Sequence, residues 1–162
     1  MDNKISALSN HLEQEINWIE SLNSLLAEEK EILSSRQFDR LEEFANKKQE
    51  LSSKLEESAK QRMQLIHHNN PNEPMNLALS EFLKNSTADE AALINQLNSK
   101  LGEILSRCRE LNAVNGQIIT NNLYIRQEIV NTLSGNKGNA ISVYTANGNI
   151  QSSQENTHHQ EA

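Results

Sequence analysis

The chain has 162 residues, 36% of them hydrophobic and only 4% aromatic, with a formal net charge of −7 and a mean hydropathy of −0.69. That length fits one domain, and so lean an apolar content suits long helices that each bury a single stripe rather than a thick globular core. The acidic balance argues against nucleic acid or an anionic membrane as partner, and no run of about 18 apolar residues is present to span a bilayer.

The first helix is predicted from about Asn3 to about Leu33. Ile5, Leu12, Ile16, Ile19, Leu26 and Leu33 mark its inner face, and Leu8, Leu22 and Leu25 widen the stripe. Trp18 falls beside that stripe and is expected to be partly buried against a neighbouring helix. The opening MDNKISALSNHLEQE has neither the basic end nor the apolar centre of a secretory signal, so the protein is expected in the cytoplasm. Ser34-Ser35 is the weakest point of this half, with Ser35 a candidate N-cap for a second helix.

The second helix carries Phe38, Leu41, Phe44, Leu51, Leu55, Leu65 and Ile66. Lys48 and Arg62 fall on the same seam, where a long basic side chain can lay its stem on apolar surface and keep its charge in water. One unbroken helix from Asn3 to His68 would reach about 100 Å at roughly 1.5 Å per residue, whereas a hairpin lets the two stripes bury each other. The stretch from His67 to Pro74, with two prolines and three asparagines, ends the second helix in a loop.

Met75 to Lys84 is expected to form a short helix using Leu77, Phe82 and Leu83. Thr87-Ala-Asp-Glu90 then has the pattern of a capping box. It opens a third long helix, predicted from about Ala88 to Leu133 and roughly 70 Å long. Its seam runs Ile94, Leu97, Leu101, Ile104, Cys108, Leu111, Ile118, Ile125, Ile129 in alternating steps of three and four, the signature of coiled-coil packing. Cys108, the single cysteine, reads as a small buried hydrophobe. Asn115 and Asn122 interrupt the seam where apolar residues belong. Asn115-Gly116 is a hairpin signal elsewhere, but the periodicity crosses it in phase, so the helix is expected to continue.

After Leu133 the composition turns to Ser, Gly, Asn and Gln, giving a helix stop and a disordered tail. The organisation is therefore all-α: an antiparallel bundle of three long helices over residues 1–134, formed by an N-terminal hairpin and a long C-terminal helix. Residues 135–162 are expected to form a flexible tail with a short apolar motif at 141–150, containing Ile141, Val143, Tyr144 and Ile150.

Catalytic signals are absent. There is no Gly-rich phosphate loop, nucleophile elbow or Cys-x-x-Cys pair, and carboxylates such as Glu28-Glu29 and Glu42-Glu43 read as solvated helix faces. His67-His68 sit at a helix end with no ligand cluster near, and His158-His159 lie in the tail, so neither a metal nor another cofactor is expected. Interaction chemistry remains. Ile119, Leu123 and Val130 form a second apolar stripe turned away from the seam, and a helix with two apolar faces must cover both.

These residues resemble a known family. Leu25-Leu-Ala-Glu-Glu29, Leu33, Asp39, Leu41, Phe44, Lys48 and Leu51 are similar to the N-terminal pattern of FlgN-type flagellar export chaperones. Arg109-Glu-Leu-Asn112-Ala-Val-Asn115-Gly116-Gln-Ile-Ile resembles that family's Leu-Asn-x-x-Asn-Gly signature. Tyr144-Thr-Ala-Asn-Gly148 resembles its Tyr-x-x-x-Gly tail motif, and the ordered set covers about residues 10 to 150.

The resemblance implies a cytoplasmic chaperone that binds the C-terminal helical segments of the hook-associated, or hook–filament junction, proteins. It would prevent their premature assembly and deliver them to the flagellar type III export gate, with the export ATPase complex as a further partner. Asn112, Asn115, Gly116 and Asn122 are carried over to the client-binding helix and Tyr144 to contact with the gate's cytoplasmic domain. With the apolar positions Ile118, Ile119, Leu123, Ile125, Val130 and Leu133 they make up the candidate client site. Asn115 and Asn122 are expected to fix the client's register by side-chain hydrogen bonds. A monomer or weak homodimer is expected. The competing readings are a structural coiled-coil adaptor without a secreted client, and a chaperone for another flagellar subunit, the cap protein or flagellin.

Overall fold

The computed structural model describes residues 3–67, 72–134 and Tyr144. The expected tail and its apolar motif, Tyr144 excepted, lie outside the described residues, as does part of the loop after His67. Among the described residues all regular structure is helical. It comprises α1 (Asn3–Ser35), a 3-10 turn (Phe38–Arg40), α2 (Leu41–Ile66), α3 (Met75–Phe82), α4 (Ala88–Asn121) and α5 (Leu123–Leu133).

The chain divides into two compact units. One comprises Met1–Glu20 with Leu51–Leu105, and the other Ser21–Glu50 with Ser106–Ala162. In the first unit the start of α1 meets the end of α2, with α3 and the first half of α4. Ile5, Leu8, Leu12, Ile16, Ile19, Ile66, Ala78, Ile94 and Leu101 are its buried hydrophobics. Leu8, Leu12, Ile66, Met75, Leu79 and Ile94, with Arg62 and Asn98, line a cavity of about 20 Å³, room for one water at most. Trp18 is half-buried, as expected.

The start of α4 bears out the capping box. Glu90 N–H donates to Thr87 Oγ1 at 3.1 Å while Thr87 N–H donates to Glu90 Oε1 at 2.9 Å, so two end donors are satisfied reciprocally. The short helix α3 is also present, although Leu77 is exposed and Ala78 takes the buried position.

In the second unit α1 turns into α2 as an antiparallel hairpin. Ser35 does not cap α2; it is the last residue of α1, and its hydroxyl bonds back to the Ile32 carbonyl. The stop is made by Arg36 at φ 59°, followed by Gln37 N–H donating to Ile32 O at 3.1 Å. That is the Schellman geometry, with a left-handed residue just past the helix end. The 3-10 turn then carries Phe38 inward, and α2 begins at Leu41.

The expected single helix from Ala88 to Leu133 is two helices. It passes Asn115-Gly116 without interruption but breaks at Asn122, which lies at φ −123°, ψ 95°. Asn122 Oδ1 accepts from Ile125 N–H at 3.0 Å, making it the N-cap of α5. An Asx side chain competes well for backbone donors, and here it wins over helix continuation. The helix α5 packs on the 3-10 turn. Ile125, Ile129 and Leu133 join Ile32, Leu33, Phe38, Leu41, Phe44, Ala45, Ile119 and Tyr144 in one core.

Candidate functional site

The second unit holds two features of functional interest, and the first is a buried polar centre. Glu29 on α1 is 1% exposed and Lys48 on α2 is 2% exposed. Lys48 Nζ donates to Glu29 Oε2 at 2.6 Å. The other oxygen, Oε1, accepts from Asn115 Nδ2 on α4 at 2.9 Å, and the same amide reaches Leu26 O at 2.9 Å. Tyr144 completes the group. Its hydroxyl donates to Glu29 Oε2 at 2.7 Å, with the Leu41 carbonyl oxygen 3.2 Å away, and its ring lies under Lys48 Nζ at 4.6 Å. Burial, and then the negative charge of Glu29, push the Tyr144 phenol far above its ordinary pKa, so it stays a donor.

Two expectations change here. Lys48 does not carry its charge to water; the charge is neutralised inside by Glu29. Nor is Glu29 part of a solvated face. A buried ammonium or carboxylate persists only when paired and hydrogen-bonded, and this centre supplies three donors to one carboxylate.

The second feature is exposed. On either side of the break at Asn122, Val114 (42%), Leu123 (73%) and Tyr124 (57%) present large apolar side chains to solvent. An open groove beside them is lined by Ala113, Val114, Gln117, Ile118 and Asn121. Arg36 stacks on the Tyr124 ring at 4.7 Å and so fixes one edge of this surface.

The residues expected to bind a client are therefore divided. Leu123 is exposed, and Asn112, Ile118, Asn122 and Val130 are half-buried. Asn115, Gly116, Ile119, Ile125 and Leu133 are buried. The second stripe does not form one outward face, because Ile119 shares the inward face of α4 with the buried Asn115, while Leu123, past the break, is left out. The two amides expected to fix a client's register are both used within the chain, Asn115 on Glu29 and Leu26, Asn122 on its own helix start. Glu29, Val114 and Tyr124 are additional residues of this region. A signal for Glu29 was present: it stands in three-four register with Leu22, Leu26 and Leu33, facing a seam that carries Lys48.

The remaining chemistry is quiet. Cys108 is half-buried, and burial raises its thiol pKa against the opposing pull of Arg109, the reverse of an activated nucleophile. Among the described residues no group of three His, Cys, Asp or Glu side chains is placed to hold a metal ion. None of their helices is long and apolar enough to cross a membrane.

Comparison with known proteins adds the family. No curated protein and no solved structure matches the chain. The FlgN protein family model matches residues 1–152, a span that takes in the whole of the first compact unit and all but the last ten residues of the second, with the Asn115-Gly116 signature and Tyr144. The chain thus belongs to the FlgN family, the flagellar export chaperones.

Proposed function

We propose that this protein is a cytoplasmic chaperone for the hook–filament junction proteins. It holds their C-terminal helical segments, prevents premature assembly and delivers them to the type III export gate. It works by binding alone, without catalysis, metal or cofactor. The observation that carries the client site is the exposure of Val114, Leu123 and Tyr124 beside the groove at the α4–α5 break. An amphipathic client helix supplies an apolar face to cover such a surface, in the helix-in-groove mode. The tail tyrosine, Tyr144, makes the contact with the gate's cytoplasmic domain, as the family resemblance implies.

Calorimetry of the full chain against the C-terminal segments of the two junction proteins, with flagellin and the cap protein as controls, tests this. One-to-one binding selective for the junction segments is expected. Leu123→Asp should weaken it by roughly tenfold or more, because a carboxylate would be desolvated in the contact. The same change should leave folding stability within about 0.5 kcal/mol at so exposed a position. Undiminished affinity in that variant would remove the surface from the proposal, and binding to none of the four would remove the client class.

A further inference from the structure

Tyr144 is assigned to a partner, yet in the free chain its side chain is 1% exposed. Its seat is chemically specific for a phenol. Glu29 Oε2 and Leu41 O lie at 2.7 and 3.2 Å from the hydroxyl, and Lys48 Nζ sits over the ring face. A tail side chain held by a charge-assisted hydrogen bond and a cation–π contact is not incidental packing. The seat is also wired to the client-binding region. Glu29 binds Tyr144 through one oxygen and Asn115 of α4 through the other. Asn115 adjoins the exposed Val114, and Ile118 of the groove packs against the core cluster that contains Tyr144.

We infer that the Glu29–Lys48 centre is a self-docking site for Tyr144, an autoinhibitory contact that withholds the tail tyrosine from the export gate until α4 is engaged by a client. The contact rests on the reading of Tyr144 as the gate-binding residue. A client pressing on Val114 and Ile118 displaces the turn of α4 that carries Asn115. Glu29 then loses one of its three donors, and the carboxylate that anchors the phenol is free to rearrange. Gate binding and client binding are thereby coupled through one side chain.

The experiment uses the full chain with Tyr124→Phe, so that Tyr144 is the one tyrosine, labelled with 3-fluorotyrosine and followed by fluorine NMR. The free protein should give a buried resonance without a solvent isotope shift. A saturating junction-protein segment should convert it to an exposed one. The double variant Glu29→Gln with Lys48→Met removes the charge assistance without stranding either charge. It should expose Tyr144 without client and bind the gate's cytoplasmic domain on the order of tenfold more tightly than the parent.

The two readings fail in different ways. If Tyr144→Ala leaves gate affinity unchanged, the gate assignment falls, whatever the resonance shows. If Tyr144→Ala weakens gate binding but the free chain already shows an exposed resonance, or the double variant binds no tighter, the self-docking inference is overturned and the gate assignment stands. A resonance that stays buried with client bound overturns it as well.

Discussion

Each compact unit buries a carboxylate from α1 and answers it with a base from α2, but the two centres are built differently. In the first unit Glu15 takes a two-pronged Arg62, Nε to Oε2 at 3.0 Å and Nη2 to Oε1 at 3.1 Å. Ser58 donates its one proton to Glu15 at 3.2 Å, which leaves His11 Nδ1–H to donate to Ser58 Oγ at 3.0 Å. Every member lies on the α1–α2 pair, and the Arg62 side chain keeps 17% exposure. In the second unit the lysine is sealed, and the other donors come from α4 and the tail. The first centre staples two helices. The second ties together four parts of the chain distant in sequence, so any rearrangement of α4 or of Tyr144 must reach it.

The largest expected effect separates the two directly. Lys48→Ala strands a fully buried carboxylate and should cost about 3–5 kcal/mol in urea unfolding followed by circular dichroism. Arg62→Ala leaves Glu15 with Ser58 and with water at its rim, and should cost roughly 1–3 kcal/mol. Equal losses would erase the distinction between a sealed and a rimmed pair.

Alkaline pH sharpens the comparison further. The folded pKa of Tyr144 is raised, so its contribution is complete below the unfolded value near pH ~10 and fades as pH climbs above it. The stability difference between wild type and Tyr144→Phe should shrink there by up to about 1.4 kcal/mol per pH unit. A difference that stays constant to about pH 11 would mean that the phenol is not held by Glu29 in solution.

A smaller effect belongs to the α4–α5 break. Asn122→Ala removes the cap and should cost about 1 kcal/mol. Amide exchange should quicken in α5 while the first unit keeps its protection. Uniform loss across both units would show that the break is not locally controlled.

Much of this architecture was legible in the three-four spacing. The extent of α1, the capping box at Thr87 and the passage of α4 through Asn115-Gly116 follow from periodicity and end chemistry; the turn between α1 and α2 was legible in place but not in its capping, since Ser35 ends α1 and Arg36 makes the stop. What periodicity reports is which positions face inward, not what sits there. Glu15 and Glu29 occupy seam positions two heptads apart, as do Lys48 and Arg62 opposite them. Charge in a seam invites a solvent-facing reading until its partner is found on the other helix. The break at Asn122 was hidden for a related reason. An asparagine is acceptable inside a helix and preferred at its start, and local sequence does not decide between them. Tyr144 was recognisable as an apolar point in a polar tail, but its seat is formed from residues about a hundred positions away.

The brevity of α5 has a consequence for the order of events in folding. Eleven residues make barely three turns, and an isolated helix below about 12–15 residues rarely holds together in water. Its cap at Asn122 lowers the cost of starting, but its persistence depends on Ile125, Ile129 and Leu133 finding the turn around Phe38. α5 is therefore expected to assemble on a finished α1–α2 hairpin rather than to help build it. Because a ribosome delivers it after the hairpin, the chain emerges in the sequence its own nucleation requires.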